Sequence, residues 1–320
     1  MDVLERIGQI GIVPVIAIDD AEKAVPLAQA LIAGGLPVAE VTFRTSAAEE
    51  AIRRIAAACP DMLVGAGTVL TCEQADRAAA AGAKFIVAPG LNPEVAAHVR
   101  ELGLPMVPGV ATATEIEQAM SCGFQLVKFF PAEQCGGTAM LKALAAPYRS
   151  IRFMPTGGVN ANNVKDYLAL DCVAACGGSW MVKSNLINEG RFDEITALTR
   201  GAVDAMLGFS LGHIGINCPD AAEADTAATW LTDTFGFDRQ DGAGSSFVGG
   251  RAFEVMKEHG PGTMGHIAIL TNSVTRAVAH LQMRGVQFDM DTARYDAAGK
   301  MNFIYISGEY AGFRYHLSQR

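Results

Sequence analysis

Eight short hydrophobic segments recur at intervals of about 20 to 27 residues along the first part of the chain. Alanine-rich segments of helix-forming residues follow most of them, and several of these open at a capping residue. Strands that alternate with helices predict a parallel sheet, and eight repeats predict an α/β (β/α)8 barrel whose active site lies at the carboxyl ends of the strands. The predicted strands are 11–18, 38–44, 63–69, 85–90, 106–110, 126–131, 151–158 and 173–181. The predicted helices are 21–33, 47–58, 72–81, 93–102, 113–120 and 139–145, with caps at Thr45 or Ser46, Thr71, Asn92 and Thr112 or Thr114.

Lys128 is the one charged residue of the sixth predicted strand, whose sequence is LVKFFP. An amine without a charged partner on a buried strand favours its neutral, nucleophilic form. Schiff-base chemistry with a ketone requires that form. The structural alternative is a lysine near the end of a strand whose amine reaches water.

Charged residues also alternate along the second predicted strand. Glu40, Thr42 and Arg44 share one face, whereas Val41 and Phe43 share the other. Because helices cover the outside of a barrel, we expect the polar face to point into its mouth. The alternative is a structural ion pair between Glu40 and Arg44.

Glycine and proline end several of the predicted strands. Thr68 closes the third strand after two glycines, and Pro-Gly pairs end the fourth and fifth. Strands seven and eight end in PTGG at 155–158 and GGSW at 177–180. Barrels commonly hold a phosphate on backbone N–H groups after these two strands, so the sequence predicts an anion site there.

The motifs GAGTVL, KFFPAE, PTGGV and GGSWM, with EVTFRT before them, resemble the class I aldolases that cleave 2-keto-3-deoxy-6-phosphogluconate (KDPG) and 4-hydroxy-2-oxoglutarate (KHG). The resemblance covers residues 1–205 and implies that Lys128 forms the Schiff base and that Glu40 is the general acid and base. It also implies a small keto-acid sugar phosphate as substrate, no metal cofactor for the aldolase, and a homotrimer. It leaves open the choice among KDPG, its C4 epimer and KHG. Among the implied substrate-binding residues, Arg44, Thr68 and Thr156 would bind the keto-acid, and Pro89 and Phe130 would form apolar walls. Gly158, Gly178 and Ser179 would hold the phosphate, and Gly157 belongs to the same site.

The last part of the chain contains an internal near-repeat. The sequence GHIGI at 212–216 is echoed by GHIAI at 265–269, and each copy precedes a predicted helix, 221–235 or 274–284, and a set of short strands. Two βαβββ modules resemble the vicinal oxygen chelate superfamily, which includes glyoxalase I. The resemblance implies His213, Glu254, His266 and His316 as ligands of a divalent transition metal. His316 stands where a carboxylate is usual, which argues against glyoxalase chemistry, and a metal-free domain used for assembly is the alternative. We therefore expect a barrel at 1–207 and a small α+β domain at 208–320.

Composition excludes several classes of function. The net charge of −9 argues against binding nucleic acid, and the sequence has no uninterrupted apolar run of membrane-spanning length. Seven cysteines without paired spacing, and acids near the N-terminus, predict a cytoplasmic protein rather than a secreted one. Two alternatives to a simple aldolase remain: a metabolite-sensing binding protein, or a bifunctional enzyme whose tail is a metal-dependent isomerase or oxygenase.

Overall fold

The computed structural model describes residues 2–320 and divides into two compact units, one ending at Met206 and the other formed by Leu207–Arg320. Within the described residues, no helix is both long and apolar enough to cross a membrane.

The first unit contains eight parallel strand positions, and the fifth position is divided into two short strands at Pro108. The strands are β1 (Ile12–Ile16), β2 (Val38–Thr42), β3 (Leu63–Gly67), β4 (Ile86–Val87), β5 (Met106–Val107), β6 (Gly109–Val110), β7 (Leu126–Phe129), β8 (Arg152–Phe153) and β9 (Cys176–Gly178). They pair in the orders β5-β4-β3-β2-β1-β9 and β6-β7-β8. Bridges from Phe153 to Val173 and from Thr156 to Gly177 join β8 to β9 and close the ring. The predicted (β/α)8 barrel is confirmed.

Ten helices of the described chain belong to this unit, together with a 3-10 turn at Ala21–Lys23. They are α1 (Val3–Ile10), α2 (Ala24–Gly34), α3 (Ala48–Ala58), α4 (Cys72–Ala80), α5 (Pro93–Glu101), α6 (Ala113–Ser121), α7 (Gly137–Ala145), α8 (Val164–Leu168), α9 (Ser184–Asn188) and α10 (Phe192–Leu207). The side chains of Thr71, Asn92 and Thr112 cap α4, α5 and α6 as predicted. The predicted cap of α3 is wrong: Ala47 occupies that position, and the Thr45 hydroxyl instead donates to the carbonyl of Ile18.

Burial on both sides explains the apolar strands of the barrel. All five residues of β2 and of β3 are buried, because helices cover the outside of the sheet while side chains fill the inside. In α3, Ala48, Ala51 and Ile55 lie on the buried face, spaced three or four residues apart. Any charged side chain that points inward is therefore held in a packed interior.

The second unit is one eight-stranded sheet with two helices. Its elements are β10 (Ser210–Asn217), α11 (Ala221–Phe235), β11 (Arg239–Asp241), β12 (Ser245–Val248), β13 (Phe253–Met256), β14 (Gly265–Thr271), α12 (Val274–Gln282), β15 (Phe288–Tyr295), β16 (Met301–Ile306) and β17 (Phe313–Gln319). The strand order is β11-β12-β13-β10-β14-β17-β16-β15. The first module (β10 to β13) and the second module (β14 to β17) therefore have the same topology, and β10 and β14 meet antiparallel at the centre. The predicted pair of βαβββ modules is confirmed.

Each module packs its helix against two of its own strands. Helix α11 packs on β12 and β13, and α12 packs on β16 and β17. Ala224 and Ala228 of α11 are fully buried against Val248 and Val255 of the sheet. Because each helix covers one face of its module, ligand-binding side chains are left to the other face.

Candidate active site and candidate metal centre

Lys128 and Glu40 form a buried ion pair inside the barrel. Lys128 lies on β7 and is 5% exposed, and Glu40 lies on β2 and is 0% exposed. The Lys128 Nζ donates to the Glu40 Oε1 at 3.1 Å. The second carboxylate oxygen, Oε2, is buried and has no hydrogen-bond donor among residues 2–320. The expectation of an amine without a charged partner is therefore wrong, and the nearest candidate proton acceptor for the lysine is Glu40 itself.

The polar face of β2 is only partly as expected. Thr42 is 1% exposed, and its hydroxyl donates to the carbonyl of Ile16 on β1 at 2.7 Å. Strand β2 ends at Thr42, so Arg44 lies in the following turn, where it is exposed and donates from its Nε to the Thr42 Oγ1 at 3.1 Å. Arg44 forms no ion pair with Glu40, whose ionic partner is Lys128.

Three other predicted substrate-binding residues lie at the carboxyl ends of the strands. Thr68 directly follows β3 with φ of 57°, a left-handed conformation that is costly for a residue with a side chain and is often found at functional sites. Pro89 follows β4, and its carbonyl lies close to Gly109. The ring of Phe130 follows β7 and lies 5.3 Å from the Lys128 Nζ, so it forms an apolar wall beside the amine.

The predicted anion site lies after β8 and β9. Thr156 is 5% exposed and lies against Gly177, whereas Gly158 and Ser179 are exposed to solvent. Gly157 and Gly158 have φ of 95° and 82°, so only glycine fits this turn without strain. A side chain on Gly178 would collide with the ring of Trp180. In both loops, glycine therefore lets the backbone lie close to neighbouring groups of the protein.

Two residues outside the predicted site, Glu133 and Tyr167, support the Gly157-Gly158 turn. The backbone N–H of Glu133 donates to the carbonyl of Gly157 at 3.0 Å, and the Glu133 side chain occupies the space where Gly158 would carry a Cβ. The hydroxyl of Tyr167 donates to the Glu133 carboxylate. Burial, followed by this carboxylate, raises the pKa of Tyr167 above its ordinary value. Glu133 could have been noticed from the motif KFFPAE, but Tyr167 has no such signal.

The second unit brings its four predicted ligands together. The Nε2 atoms of His213 and His266 lie 3.1 Å apart, and the Glu254 Oε2 lies 3.1 Å from the first and 3.2 Å from the second. Ligand atoms of His213, His266 and His316 all lie within 4.8 Å of one another. The Nδ1 of His316 is 3.1 Å from the Ser318 hydroxyl, a contact that orients the ring. Three imidazoles and a carboxylate that converge in this way fit a divalent transition metal.

The electrostatics of this cluster suit ligands that must be deprotonated. Burial raises the pKa of Glu254, but hydrogen bonds from His213, His266 and Ser245 outweigh it and hold that pKa well below its usual range. Burial, together with repulsion from His266 and His213, lowers the pKa of His316 to about 3. At neutral pH the cluster therefore presents one carboxylate and a neutral His316 imidazole.

The fold and the buried pair of lysine and carboxylate define a (β/α)8-barrel enzyme with a candidate amine nucleophile. Residues 3–198 match the family model described as KDPG and KHG aldolase, and this chain belongs to that family. Residues 210–305 match the model of the Glyoxalase/Bleomycin resistance protein/Dioxygenase superfamily.

The curated relatives match the barrel along almost their whole length. A 2-dehydro-3-deoxy-phosphogluconate aldolase of Treponema pallidum is 54% identical over 198 residues, which are 62% of this chain and 94% of the relative. A KHG/KDPG aldolase of Escherichia coli K12 is 46% identical over 193 residues, which are 60% of this chain and 91% of the relative. A solved KDPG aldolase of Legionella pneumophila, with pyruvate captured as a covalent carbinolamine, is 40% identical with a TM-score of 0.61. The match covers 62% of this chain and 97% of that one.

Proposed function

We propose that the barrel is a class I aldolase that cleaves KDPG to pyruvate and D-glyceraldehyde 3-phosphate. The observation that carries the proposal is the buried contact of 3.1 Å between the Lys128 Nζ and the Glu40 Oε1. An amine and a carboxylate at this separation supply a nucleophile and a proton acceptor in one interior. Relatives named for this activity, at up to 54% identity, support the same substrate.

Lys128 and Glu40 divide the chemistry between them. Glu40 accepts a proton from the Lys128 ammonium, and the neutral amine attacks the C2 ketone to give a carbinolamine. Glu40 then returns that proton to the carbinolamine hydroxyl, which leaves as water, so that the iminium forms and Glu40 is a carboxylate again. Glu40 then takes the C4 hydroxyl proton, directly or through a water, as the C3–C4 bond breaks and its electrons pass into the iminium. The aldehyde leaves, Glu40 returns the proton to C3 of the enamine, and hydrolysis of the iminium releases pyruvate. The iminium serves as the electron sink when the C3–C4 bond breaks.

The remaining predicted residues bind the two ends of the substrate. Arg44, with Thr68 and Thr156, holds the keto-acid end, since a guanidinium binds a carboxylate through charge-assisted hydrogen bonds. Pro89 and Phe130 flank the reacting carbons. The loops that contain Gly157, Gly158, Gly178 and Ser179 hold the distal phosphate, and the exposure of Gly158 and Ser179 to solvent supports this role.

A comparison of two substrates tests this assignment. We expect the wild-type chain to release pyruvate from KDPG with a higher kcat/KM than from KHG, which has no phosphate. Ser179→Ala should raise KM for KDPG by about tenfold, the value of one hydrogen bond to a charged group, and leave KM for KHG unchanged. A coupled pyruvate assay measures both constants. Equal effects on the two substrates would remove Ser179 from the phosphate site, and absence of turnover on either would favour the metabolite-binding alternative.

We further propose that His213, Glu254, His266 and His316 hold a divalent transition metal in the second unit. The convergence of the ligand atoms of the three histidines, with the Glu254 Oε2 within 3.2 Å of two of them, supports this. A metal there would act as a Lewis acid on an oxygen ligand. Metal analysis of the purified chain, with His213→Ala and His266→Ala as variants, tests the site: each variant should lose the metal, and a wild-type chain that takes up none would leave the domain a metal-free assembly module.

We also propose the domain limits, the oligomeric state and the cellular location of the chain. The division at Met206 and Leu207 supports an aldolase domain at 1–207 and an accessory domain at 208–320. Family membership supports a homotrimer, which light scattering would measure directly. None of the seven cysteines forms a disulfide, in keeping with a cytoplasmic location.

A further inference from the structure

Two asparagine side chains outside the proposed phosphate site converge on one of its carbonyl groups. The Nδ2 of Asn160 donates to the carbonyl oxygen of Gly158 at 2.9 Å, and the Nδ2 of Asn163 donates to the same oxygen at 3.2 Å. A carbonyl oxygen has two lone pairs, so these two hydrogen bonds use its whole capacity as an acceptor. The direction of this carbonyl is therefore fixed by side chains.

Each of the two amides is itself held by a backbone N–H group. The Asn160 Oδ1 accepts from the N–H of Asn162 at 2.9 Å, and the Asn163 Oδ1 accepts from the N–H of Asn160 at 2.8 Å. Because a backbone N–H can only donate, the side-chain atom that faces it must be the oxygen. The amide nitrogen of each asparagine is therefore the atom that faces Gly158.

With its carbonyls held by the protein, the turn leaves backbone N–H groups unused. The carbonyl of Gly157 accepts from the backbone N–H of Glu133 at 3.0 Å. A peptide unit is planar and trans, so the N–H that follows a carbonyl points the opposite way. The N–H of Gly158 therefore points away from Glu133, and the N–H of Val159 points away from the two asparagines. Neither N–H has an acceptor among residues 2–320.

Glycine makes this turn dependent on the side chains that hold it. Gly157 and Gly158 have φ of 95° and 82°, and glycine occupies several regions of backbone conformation at similar cost. The peptide between Gly158 and Val159 can therefore rotate unless its carbonyl is held. Rotation would replace an N–H donor with a carbonyl oxygen, whose partial negative charge repels an anion. The two amides thus determine which of these groups the turn presents.

An acidic side chain also lies beside the turn. The Cβ and Cγ of Glu133 fill the space where Gly158 would carry a Cβ. Its Oε1 accepts a hydrogen bond from the Tyr167 hydroxyl, and this bond offsets part of the negative charge that would repel a phosphate. The N–H donors of the turn therefore remain the groups on which anion binding depends.

We propose that Asn160 and Asn163 are positioning residues for the phosphate of KDPG. They hold the Gly158 carbonyl away from the phosphate, so that the N–H groups of Gly158 and Val159 remain available to it. The inference rests on the proposed aldolase function and on the phosphate site within it. Successive N–H groups of a turn bind anions, and they bind more tightly when their direction is fixed before the ligand arrives. Val159 is buried, and buried backbone N–H groups nearly always have a partner, which the phosphate would supply.

Isosteric substitutions in the full chain remove the donors and keep the acceptors. Asn160→Asp and Asn163→Asp retain an oxygen for the backbone N–H but replace the Nδ2 donor with an oxygen that repels the Gly158 carbonyl. Asn162→Asp is the matched control, because it adds the same charge to the same turn and the Asn162 side chain forms no hydrogen bond within residues 2–320. Comparison with this control separates the direction of the carbonyl from general charge repulsion.

Release of pyruvate from KDPG and from KHG, which has no phosphate, is the first measurement. We expect Asn160→Asp to lower kcat/KM for KDPG by about tenfold relative to Asn162→Asp, the value of one hydrogen bond to a charged group. Asn163→Asp should lower it less, because its contact with Gly158 is longer. The value of kcat/KM for KHG should stay unchanged in all of these variants.

Two further measurements separate anion binding from folding. Inorganic phosphate should inhibit KDPG cleavage competitively, and its inhibition constant should rise by the same factor in Asn160→Asp. The double variant Asn160→Ala with Asn163→Ala removes both donors without adding charge and should show the same selective loss on KDPG. Thermal unfolding followed by circular dichroism, and borohydride trapping of pyruvate on Lys128, check that each variant is folded.

Two results would overturn the inference while leaving the aldolase in place. One is a ratio of kcat/KM for KDPG to that for KHG that is the same in Asn160→Asp, the double alanine variant and Asn162→Asp. The other is an equal loss on both substrates, which would give the asparagines a structural role only. A wild-type chain that releases no pyruvate from KDPG would refute the proposed function and this inference together, and it differs from the other results because the unsubstituted chain itself fails.

Discussion

Replacing Gly67 with alanine should displace the carboxylate of Glu40, the proposed general base, without changing the chemical identity of any catalytic group. Gly67 ends β3 beside Glu40, and it is not among the glycines with positive φ, so alanine fits the backbone there. A Cβ built on Gly67 would lie 2.5 Å from the Glu40 Cγ and 2.8 Å from its Cδ, and closest of all to Oε1. The effect of the substitution would therefore fall on the Glu40 carboxylate.

The size of the displacement follows from these distances. Ordinary van der Waals contacts begin at 3.4 Å, so the carboxylate must move by about 1 Å to accommodate the methyl group. The Oε1 atom is the acceptor of the Lys128 hydrogen bond, so the same movement disrupts the ion pair. A misplacement of about 1 Å in a catalytic group costs about 100-fold in rate, and we expect kcat for KDPG to fall by about that factor.

Steady-state and trapping measurements separate this effect from loss of folding. The coupled pyruvate assay gives kcat, circular dichroism follows thermal unfolding, and borohydride trapping with pyruvate reports the amine. Gly201→Ala is the matched control, because a Cβ there has no neighbour within 4 Å. A folded Gly67→Ala protein with kcat within about twofold of the wild type would refute the argument that the position of Glu40 controls the reaction.

Two further substitutions test other parts of the structure. Glu40→Gln should still form the imine on Lys128, more slowly because the amine then loses its proton to solvent, and should slow carbon–carbon cleavage further, by a factor on the order of hundreds. Single-turnover kinetics that show equal loss of both steps would contradict the role given to Glu40 in cleavage. Glu115→Gln should destabilise the barrel by about 0.5 to 1 kcal/mol at pH 7, because the Glu115 carboxylate accepts hydrogen bonds from the backbone N–H groups of Ala111 and Thr112 before α6. These bonds lower the pKa of Glu115 from 4.5, so the stabilisation is present above that pH and is lost as the pH falls. Denaturant unfolding at pH 7 and at low pH should give a difference between wild type and variant that shrinks with acidity, and a difference independent of pH would contradict the charge argument.

Local patterns in the sequence were sufficient for the strands of the barrel, for six of its ten helices and for the burial of Lys128 and Glu40, but not for Arg44, which is exposed. The alternation of strands and helices predicted the barrel, because each of its units is a local motif with its own apolar period. The polar residue in each of two apolar strands likewise predicted that Lys128 and Glu40 point into the interior. The helix expected at 221–235 has those bounds in the structure.

Contacts between distant segments could not be predicted in the same way. The partner of Lys128 lies 88 residues away on β2, and only the closure of the barrel brings the two together. Glu133, which supports the Gly157-Gly158 turn, accepts a hydrogen bond from Tyr167, and Tyr167 lies on the distant helix α8. In the second unit, the pairing of β15 with β16 contains register shifts, so the approach of Arg294 to Phe303 has no periodic signal in the sequence.

Covalent trapping at Lys128 tests the central claim most directly. The full chain is incubated with pyruvate and borohydride, digested, and analysed by mass spectrometry for the modified lysine. We expect one reduced adduct, on Lys128, in parallel with complete loss of aldolase activity, and none in Lys128→Ala. An unmodified Lys128, or an adduct on another lysine that accounts for the lost activity, would contradict the proposed mechanism.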